Sequence, residues 1–319
     1  MVRLLAGTAD GILWLDDAGA RPEGDVPAPR FLARTAQAVY AFSAENSIWR
    51  RDEDGAWTCV AEHTIDDEVW TFAADPRLSG RLYLGVSPAL LYRSDDGGAS
   101  WTACDTVREI PGYDTWTFPP PPHIPHVRSV APDPAITGGI YIGVEEGGIF
   151  RSPNGGRTWL SLNEGLYWDV HTVTPAPDGR LYATTGDGFY RSDDGGDRWT
   201  HYADGLDRGY TVTFAASPAD PNLVFTAAAA TPPPGWRNGA NAALYRSADG
   251  GEHWERLHDG LPERFDRMVG ALVTERGNRV AAAAGGSVYL SEDRGEHWRT
   301  LADGLPAVTA LLPLAGAAD

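Results

Sequence analysis

A ten-residue segment that recurs five times constrains this chain more than any other feature. Each copy begins with an aromatic residue and runs through Ser, Asp or Asn, and Gly toward Trp. The copies are YRSDDGGASW (92–101), FRSPNGGRTW (150–159), YRSDDGGDRW (190–199), YRSADGGEHW (245–254) and YLSEDRGEHW (289–298). A weaker copy, WRRDEDGAW (49–57), precedes them, and WLDDAG (14–19) resembles a degenerate seventh copy. Self-similarity at a spacing of roughly 40–60 residues indicates a repeat architecture with one supersecondary unit per copy.

Each copy has the chemistry of a tight β-hairpin. The Asp side chain can accept hydrogen bonds from the amides of its own turn, and the following Gly can adopt a positive φ. The Ser hydroxyl can serve the same turn, and the Trp offers a large apolar face to a neighbouring sheet. The turn carboxylates of the four complete copies are Asp96, Asp194, Asp249 and Asp293.

The strand pattern around each copy predicts a β-propeller. Two more strand-like runs precede each hairpin, as in VHTVTPAPDGRLYATTGDGFYRS (170–192), so each unit holds four short strands. Six units are predicted at about 28–62, 66–106, 124–164, 168–204, 209–259 and 266–303, and the tail 307–316 joins residues 1–25 to make a seventh. The prediction is an all-β chain forming a single domain over residues 1–319, a seven-bladed β-propeller of four-stranded antiparallel blades. The carboxy-terminal strand would close its ring.

The pattern Ser-x-Asp-x-Gly-x-x-Trp resembles the Asp-box, or BNR, repeat. Four copies match fully, and Asn154 replaces Asp in a fifth. The resemblance covers nearly the whole chain and is to bacterial BNR-repeat proteins labelled glycosyl hydrolases or sialidase-like. Similar repeats occur in xyloglucanases, the sortilin ectodomain and a photosystem assembly factor. The resemblance implies that the Asp boxes lie opposite the active face, so that their turn carboxylates are structural rather than catalytic. A missing Arg-Ile-Pro motif and seven blades, rather than six, argue against a classical exo-sialidase.

Composition excludes several classes of function. The net charge of −18 repels phosphate backbones, so nucleic acid is not an expected partner. All 26 basic residues are Arg, which excludes lysine Schiff-base chemistry and the phosphate-binding loop lysine. No apolar run reaches membrane-spanning length, and Asp10 interrupts the first apolar run, so a soluble cytoplasmic protein is expected. Cys59 and Cys104 are expected to be two buried thiols rather than a disulfide.

The two longest connections are expected on the face opposite the repeated turns. One, at about 105–126, contains TWTFPPPPHIPHVRS (115–129), and the other is TPPPGWRNGANA (231–242). Proline runs favour a stiff extended conformation, so we expect both to stand as walls around the channel mouth.

Aligned first strands predict which side chains meet there. EVWTFAADP, HVRSVAPDP, DVHTVTPAP and YTVTFAASP align by their following turns, and residues two apart point the same way. The resulting pairs are Glu68 with Trp70, His126 with Arg128, Asp169 with His171, and Tyr210 with Val212. Neighbouring loops add Glu145, Glu146, Asp187, Tyr167 and Trp168.

These residues support three hypotheses of function. The first is a carbohydrate-active or related small-molecule hydrolase or lyase, because paired carboxylates perform acid and base chemistry and aromatic walls suit sugar faces. Its catalytic candidates are Asp169, His171, Glu145, Glu68 and His126. Its binding candidates are Arg128, Trp116, Tyr167, Trp168, Tyr210, Trp236, Arg237 and Trp70.

The second hypothesis is a metal-dependent enzyme. His123, His126 and His171 would hold a divalent ion, with Asp169 or Glu145 nearby, since imidazole and carboxylate suit zinc and similar ions. The third hypothesis is a non-enzymatic binding or assembly platform with a protein or small-molecule partner.

Overall fold

A computed structural model describes residues 2–275 and 278–314, and within them it contains seven four-stranded antiparallel sheets. The first sheet contains β1 (Leu4–Thr8), β2 (Gly11–Asp16), β3 (Gly19–Pro22) and β28 (Val308–Pro313). The second contains β4 (Pro29–Arg34), β5 (Val39–Ser43), β6 (Ile48–Arg51) and β7 (Trp57–Ala61). The third contains β8 (Glu68–Ala74), β9 (Leu82–Ser87), β10 (Leu90–Ser94) and β11 (Thr102–Ala103).

The remaining sheets follow the same order along the chain. The fourth contains β12 (Val127–Pro132), β13 (Ile140–Val144), β14 (Gly148–Ser152) and β15 (Leu160–Ser161). The fifth contains β16 (Val170–Pro175), β17 (Leu181–Thr185), β18 (Gly188–Ser192) and β19 (Thr200–His201). The sixth contains β20 (Tyr210–Ala216), β21 (Val224–Ala229), β22 (Ala243–Ser247) and β23 (Glu255–Arg256). The seventh contains β24 (Val269–Thr274), β25 (Val280–Ala284), β26 (Ser287–Ser291) and β27 (Arg299–Ala302).

The fold is a seven-bladed β-propeller, as the repeat predicts. Each observed sheet falls within the range predicted for its unit, and β28 pairs antiparallel with β1 through Leu5 and Leu312. Both chain ends therefore share one sheet, as expected. Residues 315 and 316 of the predicted last strand lie outside the described residues.

The chain divides into two compact units. The first unit comprises the residues up to 30, 187–189, and those from 202 onward, and the second comprises 31–186 and 190–201. Each unit has its own hydrophobic cores. Fully buried rings include Phe42, Tyr83 and Phe150 in the second unit and Phe225 and Tyr245 in the first. Burying each such ring stabilises the fold by about 1.5–3 kcal/mol. That the whole chain is one domain stays a prediction.

The repeated turns are held by a buried Ser hydroxyl. In all five copies the Ser Oγ accepts the amide of the Gly four residues later, at 2.8 to 2.9 Å. The same Oγ donates to the Asp or Asn side chain, and that side chain accepts a further turn amide, as Asp194 does from Arg198 at 3.0 Å. The predicted structural role of the turn carboxylates is confirmed. These hydrogen bonds lower the pKa of Asp96, Asp249 and Asp293 to about 2.

Strand register places these turns opposite the divergent loops within a sheet. In the third sheet Ser94 pairs with Leu82 at one end of the strands, whereas Glu68 pairs with Ser87 at the opposite end. The long connections therefore lie at the end of the strands opposite the Ser turn, as predicted.

Both long connections differ from the expected extended walls. In the first, the His123 amide donates to the Pro120 carbonyl at 3.0 Å, so the proline run forms a turn. In the second, residues Pro233–Asn238 form a 3-10 helix. The extended prediction was wrong because local hydrogen bonds outweigh the preference of proline for the extended region: Trp236 donates to the Thr231 carbonyl at 2.6 Å.

Two smaller expectations were also tested. Cys59 and Cys104 are free thiols; Cys104 is buried as expected, whereas Cys59 is only half-buried. Among the described residues, no helix has the length and apolar character needed to cross a membrane.

Replacing the turn hydroxyl is expected to destabilise the fold. Ser192→Ala leaves the buried Gly196 amide without its acceptor, which costs about 1–3 kcal/mol in the free energy of unfolding. Urea denaturation measures this loss. The control is Ser161→Ala, since Ser161 is an exposed residue of β15. Equal stability of the two variants would contradict the assigned role.

Candidate functional site

A β-bulge recurs at the same position of the first strand in neighbouring sheets. In β8, β12 and β16 the ladder skips one residue, and those residues are Trp70, Arg128 and His171. A bulge adds a residue that has no direct partner across the ladder and redirects its side chain. All three are the second members of the predicted pairs, so the predicted alignment of the first strands is confirmed. In the first unit β20 has the same bulge at Val212.

An aromatic box closes over His126 at the start of β12. The His126 ring is stacked on Trp70, with ring centroids 3.5 Å apart and an interplanar angle of 17°. Phe118, from the proline-rich connection, meets the His126 ring edge-on at 4.7 Å and the Trp70 ring at 5.6 Å. The His126 side chain has 0% exposure, so these rings exclude water from it.

The imidazole enclosed by these rings contacts the carboxylate of Glu145. Its Oε2 accepts a hydrogen bond from His126 Nε2 at 2.9 Å and forms an ion pair with the Arg128 guanidinium. The Glu145 side chain is only 5% exposed, while Arg128 is 24% exposed. A buried carboxylate with both a guanidinium and an imidazole on one oxygen is held in a single orientation.

Burial and charge pull the pKa values of this pair in different directions. Burial would raise the pKa of Glu145, but the hydrogen bonds and charges of His126 and Arg128 outweigh it and lower this pKa to about 2. Burial lowers the pKa of His126, against the opposing effect of Glu145. At neutral pH the carboxylate is therefore ionised and the imidazole is neutral.

Asp169 and His171 lie beside Glu145. The ligand atoms of Glu145, Asp169 and His171 all lie within 4.8 Å of one another, and His171 Nε2 is 3.4 Å from Asp169 Oδ1. Gly186 donates its amide to the Asp169 carbonyl at 3.0 Å. A Cβ at Gly186 would lie 2.2 Å from Asp169 Oδ2, so only glycine leaves the carboxylate in this place.

Glu146 completes the cluster and was absent from the predicted catalytic set. Its φ of +51° is a left-handed conformation that Glu adopts rarely, and strain of this kind concentrates at functional sites. Burial and the negative charges of Asp169 and Glu145 raise its pKa, with His123 opposing them. The signal in the sequence was the pair of carboxylates before two glycines, EEGG at 145–148.

The predicted three-histidine metal site is not formed. His123 is exposed, and its Nδ1 donates to the Phe118 carbonyl at 2.8 Å. His126 is enclosed by aromatic rings and faces Glu145. Across residues 2–275 and 278–314, the groups spaced to hold an ion are Glu145 with Asp169 and His171, and the surface group Asp249, Glu252 and His253. The prediction failed because the Nδ1 of His123 is used by the Phe118 carbonyl and the Nε2 of His126 by Glu145, so these rings do not converge with His171 on one point.

Other predicted residues have different surroundings. Trp116 is 8% exposed and packs on Tyr113 and Phe150 in the core, so its predicted place in a binding wall was wrong. Tyr167 and Trp168, which directly precede Asp169, are 38% and 47% exposed. Glu68 is exposed at the first position of β8.

Three predicted binding residues belong to the first unit. Tyr210 is buried and contacts the edge of Trp236, with ring centroids 6.0 Å apart. Arg237 is exposed on the same 3-10 helix as Trp236. Their role in a site with Asp169 stays a prediction.

Comparison with known proteins supports the fold. The chain is 24% identical over 258 residues to a xyloglucanase of Hypocrea jecorina (strain QM6a), which covers 76% of this chain and 27% of that protein. The solved GH74 xyloglucanase of Xanthomonas campestris superposes with a TM-score of 0.71 at 19% identity, covering 94% of this chain and 52% of that one. A structure of YCF48 bound to D1 peptide gives a TM-score of 0.58 at 17% identity, covering 85% and 81%.

These matches are partial and distant. The chain spans about a quarter of the curated relative and about half of the solved xyloglucanase. No protein-family model matches the chain. At such identities the structural similarity establishes the fold alone.

The depressed pKa of Glu145 predicts how stability depends on pH. The pKa falls from an ordinary 4.5 to about 2 on folding, so the ionised carboxylate stabilises the folded state above pH 4.5. That stabilisation is lost as the pH falls toward 2, by about 2 kcal/mol at about pH 3. Chemical denaturation of the wild type and Glu145→Gln should therefore give a stability difference that shrinks by this amount between about pH 6 and pH 3. A difference that is independent of pH would contradict the ion pair.

Proposed function

We propose that this protein is a carbohydrate-active hydrolase whose site lies in the second unit around Asp169, Glu146 and Glu145. The observation that carries the proposal is the convergence of Glu145, Asp169 and His171 within 4.8 Å, beside Glu146, whose pKa the charges of both carboxylates raise. The distant similarity to xyloglucanases supports a carbohydrate substrate. The five Ser-held turns, which have the Asp-box pattern, would serve as the scaffold of this site.

The cluster separates its carboxylates into different chemical roles. Glycoside hydrolysis needs one carboxyl group that donates a proton and one carboxylate that activates water or attacks the sugar. Glu146, whose pKa is raised by burial and by Asp169 and Glu145, is the proton donor in this proposal. Asp169, whose side chain is 15% exposed, is the base or nucleophile. Glu145 stays ionised and keeps a negative charge next to both.

Aromatic and cationic side chains supply the binding surface. Tyr167 and Trp168 are exposed directly before Asp169, and flat aromatic faces suit the apolar faces of sugar rings. Arg128 is partly exposed and contacts Glu145 through one terminal nitrogen, which leaves other guanidinium donors for sugar hydroxyls.

Variants of the two reacting carboxyl groups test the proposal. Xyloglucan-derived and unbranched glucan oligosaccharides are incubated with the protein, and released products are measured by chromatography. Asp169→Asn and Glu146→Gln should each lower kcat/KM by at least about 100-fold, because each removes one proton-transfer or nucleophilic group. The control Glu53→Gln removes an equal charge from an exposed turn and should retain wild-type turnover. Unchanged turnover in both site variants would refute the proposal.

The pH dependence tests the role of Glu146 separately. A proton donor works only when protonated, so turnover should fall as the pH rises through the raised pKa of Glu146. The charged groups that act on it are Asp169, Glu145 and His123. Glu145→Gln removes one negative charge and should move the high-pH limb of kcat/KM to lower pH. A limb that stays in place, or moves upward, would exclude Glu146 as the donor.

A non-enzymatic binding protein is the second candidate. One observation favours it: Arg128 and His126 both bind Oε2 of Glu145, which makes this part of the site rigid. A related solved fold, YCF48, was bound to a peptide. Binding of a saccharide without product formation, and with equal affinity in Asp169→Asn, would favour this candidate over the hydrolase.

A further inference from the structure

His126 contacts the central carboxylate of the cluster but has no access to a ligand. Its side chain has 0% exposure, and its Nε2 lies 2.9 Å from Glu145 Oε2. The His126 carbonyl also accepts the Glu145 amide at 3.3 Å. Both the backbone and the side chain of Glu145 are therefore tied to this one residue.

We propose that His126 is a positioning residue that holds Glu145 in place as the Nε2–H tautomer, and that the proline-rich connection keeps its ring there. The inference rests on the proposed hydrolytic function for its kinetic consequence. Its geometric part concerns only the contact between His126 and Glu145, which can be measured without a substrate.

The chemistry of the partners determines the tautomer. An ionised carboxylate only accepts hydrogen bonds, so the proton between the two groups belongs to His126 Nε2. The ring Nδ1 is buried and has no hydrogen-bond partner among the residues that the structure describes. A second proton there would place an unpaired donor and a positive charge inside the aromatic box, which burial opposes. Glu145, Arg128 and Glu68 are the charged groups that act on the ring.

The proline-rich connection supplies one wall of the box. His123 closes the turn, with its amide on the Pro120 carbonyl at 3.0 Å and its Nδ1 on the Phe118 carbonyl at 2.8 Å. Phe118 is thereby held beside the stacked pair, with its ring edge-on to both His126 at 4.7 Å and Trp70 at 5.6 Å. The turn therefore holds the Phe118 ring in place, and the Phe118 ring in turn restricts the imidazole of His126.

The consequence for the reaction passes through Glu145. Its charge raises the pKa of Glu146, and its ligand atom lies within 4.8 Å of those of Asp169 and His171. If His126 no longer donates, Glu145 keeps Arg128 alone and can follow that partly exposed side chain. Small displacements of reacting groups lower kcat strongly, whereas ground-state binding by exposed aromatic residues is unaffected.

Nitrogen NMR of histidine-labelled protein tests the geometry directly. One ring should remain neutral, with a protonated Nε2 and a bare Nδ1, at a pH where exposed histidines are charged. This signal should disappear in His126→Gln. A charged ring, or the opposite tautomer, would overturn the proposal.

Substitution kinetics test the positioning role. His126→Leu removes the donor and should lower kcat about tenfold with KM little changed, and should shift the high-pH limb of the profile. His126→Gln places an amide N–H near the same position and should restore most of the lost rate. The matched control is His201→Leu, since His201 also stacks on an aromatic ring, Tyr190 at 4.7 Å, but lies on β19.

The outcomes separate this inference from the proposed function. Equal losses in the Leu and Gln variants would show that donation to Glu145 is irrelevant. If His126→Leu does not fold, His126→Asn provides the comparison with Gln, because its shorter amide does not reach Glu145. If the wild type hydrolyses no saccharide, the hydrolase proposal fails, while the NMR spectrum still decides whether His126 holds Glu145.

Discussion

One buried hydroxyl group organises each of the five repeated hairpins. The Ser Oγ accepts a Gly amide and donates to an Asp or Asn, so the buried Gly N–H and the buried Ser hydroxyl both have partners. This arrangement fixes where the third strand ends and the fourth begins. It also assigns the opposite edge of each sheet to loops that are free to vary, and the candidate site lies on that edge in the second unit.

The equivalent first strands then bring variable side chains together. In β12 and β16 the ladder bulges at Arg128 and His171, the second members of the two pairs. Arg128 joins His126 on Glu145, and His171 lies next to Asp169. The blades therefore share the same turn at one end of their strands, and at the opposite end they carry different side chains at equivalent positions.

Burial and neighbouring charges act in different directions on the pKa values of the carboxyl groups in this cluster. Glu145 is ionised because Arg128 and His126 compensate its burial, and its charge raises the pKa of Glu146 against the opposing effect of His123. Neighbouring residues with the same side chain thus have pKa values shifted in opposite directions. Such separation is the usual basis for assigning acid and base roles to two carboxyl groups.

The seven-bladed architecture could be predicted from the amino-acid sequence, because a turn that uses Ser, Asp and Gly needs only hydrogen bonds between residues close together in the chain. The sequence also identified the strand register that pairs His126 with Arg128 and Asp169 with His171. It did not predict the turn at Pro120, although a local hydrogen bond from the His123 amide holds it. Nor did it predict that Trp116 is buried or that Glu146 belongs with the catalytic candidates, since burial and the charge of Asp169, which precedes a different sheet, raise the pKa of Glu146. These last two features depend on which rings and charges pack together in space, and a local sequence pattern does not contain that information.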